Sequence, residues 1–229
     1  MNLFYRRLPW YIELLLLTIG ILGINISVVH IGYINIWTIF LCQLINLTGF
    51  AGILWLARNH LIRQNQDKKD CWFCFLRRKL KPEDILWIIL IVVLSKITTS
   101  LVSEIDFLTY FDFKIFKRFS IVHISEKEQI ISTVIFGLVL TLGVFAEEFY
   151  FRGYLFELQY KTFKKYTWMI NGVSWSFFHL FSPTNFIVIL PQCLIYSYVY
   201  QKRRNIWITI IAHLISNYLV LFSRVRYMI

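Results

Sequence analysis

Six side chains that can carry charge or make strong hydrogen bonds stand out inside apolar stretches of this 229-residue chain: Glu147, Glu148, Arg152, His179, His213 and Asn217. In hydrocarbon each is costly unless paired or hydrated, so each marks a place where chemistry is to be sought. Glu147 and Glu148 follow the uncharged run Gln129–Ala146. Arg152 lies four residues after Glu148, the favourable acid-then-base order on one helical face. Glu147 is rotated about 100° from that face and meets a different neighbour. His179 comes four residues after Trp175, and His213 four before Asn217, which shares its face. A carboxylate near an imidazole can activate water, and His and Asn donors can hold a developing oxyanion. Singly, each feature has a plainer reading. Glu148 with Arg152 is a packing clamp, His179 a hydrogen-bonded bundle residue, and His213 with Asn217 interhelical glue. Trp175 reads as an aromatic wall beside the cavity. The plainer readings do not predict all three spacings together.

The elements that must position these groups are membrane helices. Hydrophobic residues make up 58% of the chain, aromatic residues 18% and charged residues 16%, with a mean hydropathy of +0.60. This excludes a soluble globular enzyme, a disordered tail and a disulfide scaffold. No Asp, Glu, Lys or Arg occurs in Leu14–Ala57, Tyr166–Gln201 or Asn205–Ser223. Seven hydrophobic segments follow: Trp10–Val29, Tyr33–Ala57, Ile85–Val102, Gln129–Tyr160, Thr167–Leu180, Phe186–Tyr200 and Ile206–Phe222. Lipid offers backbone amides no other partner, so all seven are expected to be helical. The expected fold is all-α, a polytopic bundle around a polar cavity, with N-terminal helices over 1–128 and a catalytic core over 129–229. Arg6 and Arg7 before Leu14–Leu17 resemble a signal peptide. No small-residue cleavage site follows, so the segment reads as a retained anchor. Thr167–Leu180 and Phe186–Tyr200 are short for a bilayer core of about 30 Å. A hairpin of the two leaves the polar turn Ser182–Asn185 at depth, where it requires burial or a water-filled cavity.

The net charge is +11. Basic residues sit in short segments between apolar runs, which points to the positive-inside bias and not to nucleic acid. A cytoplasmic N-terminus places Arg6–Arg7, Arg58–Lys81, Lys161–Lys165 and Lys202–Arg204 inside, sixteen of the 24 Lys and Arg. The four cysteines, Cys42, Cys71, Cys74 and Cys193, form no framework; Cys71 and Cys74 make a lone C-x-x-C with only His60 nearby and read as reduced loop cysteines. Counted from Lys161, Tyr166 and Asn205, the residues Glu147, His179, His213 and Asn217 lie about 21, 20, 12 and 18 Å deep. Three helices thus carry polar groups into one layer.

Glu147-Glu148-Phe149-Tyr150-Phe151-Arg152 matches E-E-x-x-x-R, Trp175-Ser176-Phe177-Phe178-His179 matches [FW]-x-x-x-H, and His213-Leu214-Ile215-Ser216-Asn217 matches H-x-x-x-N. In that order the three resemble the signature of the CAAX-protease and bacteriocin-processing (Abi) family of intramembrane glutamic endopeptidases, over residues 129–222. The resemblance implies that Glu147 and His179 activate water, that His213 and Asn217 stabilise the oxyanion, and that Glu148 with Arg152 supports the site. It implies a metal-free reaction without cofactor; zinc on Glu147, His179 and His213 is the less favoured alternative, since no H-E-x-x-H is present. The implied partners are the lipid bilayer and a peptide or membrane-protein substrate. Few Ala and abundant Ile, Asn and Lys suggest a bacterial source, hence leader-peptide processing or bacteriocin self-immunity at the cell membrane. A non-catalytic immunity or scaffolding protein and an ion-coupled transporter are the competing readings.

Overall fold

The computed structural model describes residues 11–19, 78–104, 126–179 and 183–226, together with Pro9, Leu44, Thr48, Gly49, Ala51, Gly52 and Leu76. Among the described residues every regular element is helical. The principal helices are α1 (Pro82–Ser103), α2 (Glu126–Glu148), α3 (Phe156–Phe163), α4 (Thr167–Phe178), α5 (Pro183–Arg203) and α6 (Ile206–Arg226). A π-helical turn, Phe149–Leu155, joins α2 to α3 without a break, and a 3-10 turn, Lys164–Tyr166, joins α3 to α4.

Local chemistry accounts for the helix ends. Pro82 opens α1 with a φ suited to the first helical position. The Asp84 carboxylate accepts the backbone N–H of Lys81 at 2.9 Å. Lys202 and Arg203 occupy the last turn of α5 and oppose its negative dipole end. Arg204 then takes φ 51°, and its N–H closes on the Tyr200 carbonyl at 2.8 Å. Its guanidinium stacks over Tyr160 at 4.3 Å and Phe156 at 4.8 Å and pairs with Glu157, contacts that offset a left-handed conformation outside glycine.

Two stretches, Pro82–Ser103 and Thr133–Phe178, are long and apolar enough to cross a membrane. Their exposed faces are apolar: Leu86, Ile89, Val93, Ile97 and Leu101 on α1, and Ile130, Val134, Leu138 and Leu142 on α2. The four-residue steps of the α2 set make one continuous stripe. Such stripes are unfavourable against water and neutral against lipid. The opposite face of α1 packs through Ile88 and Ile91 on an aromatic core of Tyr150, Phe151, Tyr154, Trp175, Phe178 and Tyr196.

α4 meets α5 closely at Gly172. A Cβ there would lie 2.9 Å from Leu194 Cα and 3.0 Å from the Cys193 carbonyl, so glycine is what lets the backbones meet. Arg203 donates to Asp84 at 2.7 and 3.1 Å, and Asn205 Nδ2 donates to the same carboxylate at 3.2 Å, tying α1 to the α5–α6 turn. Residues 11–19 are helical and reach the core: Leu14 is buried, and the Tyr154 hydroxyl donates to Glu13 Oε2 at 3.1 Å.

The helical bundle agrees with the expected fold class, and two boundaries are corrected. The segment expected over Phe186–Tyr200 is a 21-residue helix, Pro183–Arg203, about 31 Å long and not too short to span. Its supposed turn residues Pro183, Thr184 and Asn185 form its first turn, where proline needs no N–H partner. The last helix extends past Phe222 to Arg226. The short α4 is confirmed, at 12 residues. The segment Tyr33–Ala57, most of Trp10–Val29, the Cys71/Cys74 pair and most of the basic loop Arg58–Lys81 lie outside the described residues, and so does the count of seven helices.

Candidate active site

The site is built where the α2 rod widens. In the π turn the Phe156 N–H reaches back five residues to the Phe151 carbonyl. Asn171 Nδ2 also donates to that carbonyl, at 2.9 Å, and to Gln159 Oε1 at 3.0 Å. Gln159 Nε2 continues to Ser174 Oγ at 3.0 Å, and Ser197 Oγ donates to Asn171 Oδ1 at 3.0 Å. All four side chains are buried, and this network pins the π turn to α4 and α5.

The two glutamates, adjacent at the end of α2, point in different directions. Glu147 faces α4: its Oε2 accepts the Trp175 indole N–H at 3.0 Å and stands 4.0 Å from His179 Nε2. The His179 ring is oriented by its own helix end, since Nδ1 lies 3.0 Å from the Trp175 carbonyl. A carbonyl only accepts, so Nδ1 carries the proton and the Nε2 edge is turned to Glu147. These two side chains are partly open, at 14% for Glu147 and 20% for His179. The 4.0 Å separation is too long for a direct hydrogen bond. It suits one water lying about 2.8 Å from each atom, off the line between them.

Glu148 faces α6 and is fully buried. Its Oε1 lies 3.0 Å from His213 Nδ1, and its Oε2 lies 3.4 Å from Arg152 Nε. The Arg152 guanidinium is also fully buried and stacks on Trp175, with Cζ 3.8 Å from the ring centroid. Its Nη1 and Nη2 make no hydrogen bond among the described residues. The His213 ring meets Trp175 edge-on at 5.2 Å. Asn217 is half-buried one turn beyond His213 and makes no hydrogen bond among the described residues.

The structure therefore gathers Glu147, Trp175 and His179 into one half-site and Glu148, Arg152 and His213 into another, with Trp175 touching both. The reading of Trp175 as a mere wall is incomplete, because its N–H is spent on Glu147. Among the described residues no three acidic, His or Cys side chains are placed to hold a metal. Sequence reasoning passed over Asn171 and Tyr196. Asn171 carried a signal, an amide within a charge-free run. Tyr196, fully buried with its ring 5.5 Å from Trp175 and 5.9 Å from His213, looked like any other aromatic of the bundle. A groove of about 220 Å³ bordered by Trp87, Leu94, Trp168 and Leu194 is apolar and shares no residue with the site.

Residues 129–219 match the family model described as Type II CAAX prenyl endopeptidase Rce1-like. No curated protein and no solved structure matches the chain.

Proposed function

We propose, from the premise that residues 129–219 form a core of the membrane-embedded type II CAAX endopeptidase family, that the chain hydrolyses a peptide bond through a water shared by Glu147 and His179. The observation that carries this reading is the 4.0 Å gap between Glu147 Oε2 and His179 Nε2 in a partly open, low-dielectric setting. In the proposed reaction the water oxygen adds to the scissile carbonyl carbon while its proton passes to Glu147, with His179 holding the water's second hydrogen. The carbonyl π electrons move onto oxygen and form an oxyanion. On collapse the C–N bond breaks, and the proton held by Glu147 goes to the leaving nitrogen, giving a free amine and a carboxyl terminus.

His213 and Asn217 are assigned to the oxyanion. His213 Nδ1 is committed to the Glu148 carboxylate, so only a doubly protonated ring can offer Nε2–H to the oxyanion. Glu148 would then stabilise that charge from behind the ring, with Arg152 holding the Glu148 carboxylate in place. Donors of this kind contribute about 2.7–4 kcal/mol each in other proteases.

The substrate class we favour is a small peptide or membrane-associated chain, such as a bacteriocin or signalling-peptide leader, cut at the cell membrane of a bacterium. The N-terminus and the Lys161–Lys165 and Lys202–Arg204 turns are placed on the cytoplasmic side. No step requires a metal or cofactor. The test uses the purified protein in lipid vesicles with a fluorogenic peptide library, products being identified by mass spectrometry. Glu147→Ala and His179→Ala should abolish cleavage, and His213→Ala should lower kcat. Undiminished cleavage by Glu147→Ala would overturn the reading. Protection against a bacteriocin that survives Glu147→Gln would favour a non-catalytic immunity protein instead.

A further inference from the structure

We infer that Trp175 is a positioning residue of the hydrolytic site, whose indole N–H fixes Glu147 for the shared water while its ring face braces Arg152 behind His213. The inference rests on the hydrolytic reading above. Trp175 acts on Glu147 and His179 at once. Its Nε1–H donates at 3.0 Å to Glu147 Oε2, the same oxygen that faces His179, and its carbonyl accepts from His179 Nδ1 at 3.0 Å. One residue thus sets the orientation of both groups that hold the water. The hydrogen bond to an ionised carboxylate is charge-assisted, stronger and more directional than a neutral one.

The ring supplies the second half. Arg152 Cζ sits 3.8 Å from its centroid, and indole is the best cation–π acceptor among side chains. Because Nη1 and Nη2 have no hydrogen-bond partner among the described residues, this buried cation relies on the Trp175 ring face and the Glu148 carboxylate, with the Tyr196 ring farther off at 5.9 Å. Trp175 is only 2% exposed, so it does not touch an entering substrate and works through its neighbours. A residue chosen for volume alone would need neither the N–H nor the electron-rich face.

Two substitutions separate these roles from packing. Trp175→Phe keeps a ring over Arg152 and removes the donor. Trp175→His restores an N–H, because imidazole Nε2 occupies the place of indole Nε1, but forfeits the fused ring and packs worse. Each variant is reconstituted in vesicles and assayed with the library peptide that the wild type cleaves fastest. Trp175→Phe should lose about tenfold or more in kcat, with KM held within about twofold. Trp175→His should retain more kcat than Trp175→Phe. A packing role predicts the reverse order, and either that order or wild-type kcat in Trp175→Phe overturns the proposal. Should Trp175→Phe fail to fold, as judged by circular dichroism, Trp175→His is compared with Trp175→Leu, and equal kcat values refute the role of the donor. Glu147→Ala is run alongside. If it still cleaves, the hydrolytic reading itself falls; if it is inert while Trp175→Phe is unimpaired, only the role of Trp175 falls.

Discussion

Gly172→Ala tests whether the site depends on the close approach of α4 and α5. The added Cβ would lie 2.9 Å from Leu194 Cα and 3.0 Å from the Cys193 carbonyl oxygen. Both are backbone atoms, so no side-chain rotation relieves the clash. Ordinary contact begins at 3.4 Å, so the helices must part by about 0.5 Å or tilt. Overpacking of this kind costs about 1–3 kcal/mol. The displacement falls one turn from Trp175 and two turns from His179 on one side, and beside Tyr196 on the other. It is therefore expected to widen the 5.5 Å Trp175–Tyr196 contact and to shift Trp175 Nε1 against Glu147. Shifts of this size at a reacting centre reduce kcat more than they reduce stability. The assay pairs a thermal melt in detergent with peptide cleavage in vesicles. Gly172→Ala should melt several degrees lower and lose activity at temperatures where it is still folded, and Gly172→Val should be worse in both. A Gly172→Ala protein with wild-type melting and wild-type kcat would refute the close approach and the coupling drawn from it.

Removing the Arg152 cation strands the buried Glu148 carboxylate. Arg152→Ala should destabilise the protein by about 3–5 kcal/mol, measured as loss of the folded fraction on size exclusion. Arg152→Lys should rescue it poorly, because an ammonium cannot lie flat on the Trp175 ring. Asn171→Ala deprives Gln159 Oε1 and Ser197 Oγ of partners and releases the Phe151 carbonyl from its side-chain donor. At about 1–3 kcal/mol for buried groups left unsatisfied, it should lower the melting temperature. Faster amide exchange confined to the π turn should accompany the loss, and unchanged exchange there would count against the proposed pinning of Phe149–Leu155.

How much of this was legible beforehand depends on which forces act locally. Long apolar segments located the described helices because lipid burial is a property of the segment itself. Three polar spacings and a depth count placed Glu147, His179 and His213 in one layer, and the helices do converge there. The start of α5 was misread because Pro183, Thr184 and Asn185 favour turns and helix N-termini alike, and only the following chain decides between them. The π turn left no mark in Phe149–Leu155, whose apolar residues suit an α-helix equally well. Yet an inserted residue rotates everything beyond it by about 100°. The direction the chain takes beyond that turn is thus a tertiary fact, held by the Asn171 network.

Adjacent helical positions point about 100° apart, so the two carboxylates sit in different surroundings. Glu148 is turned into the fully buried arm, with Arg152 on one oxygen and His213 on the other. Its charge is matched, and no solvent reaches it to exchange a proton. Glu147 remains partly open, with one neutral N–H donor and an imidazole edge 4.0 Å away. On the proposed reading it is the member that serves as base, since its partners do not include Arg152. Environments that differ this much between neighbouring acids assign base and support.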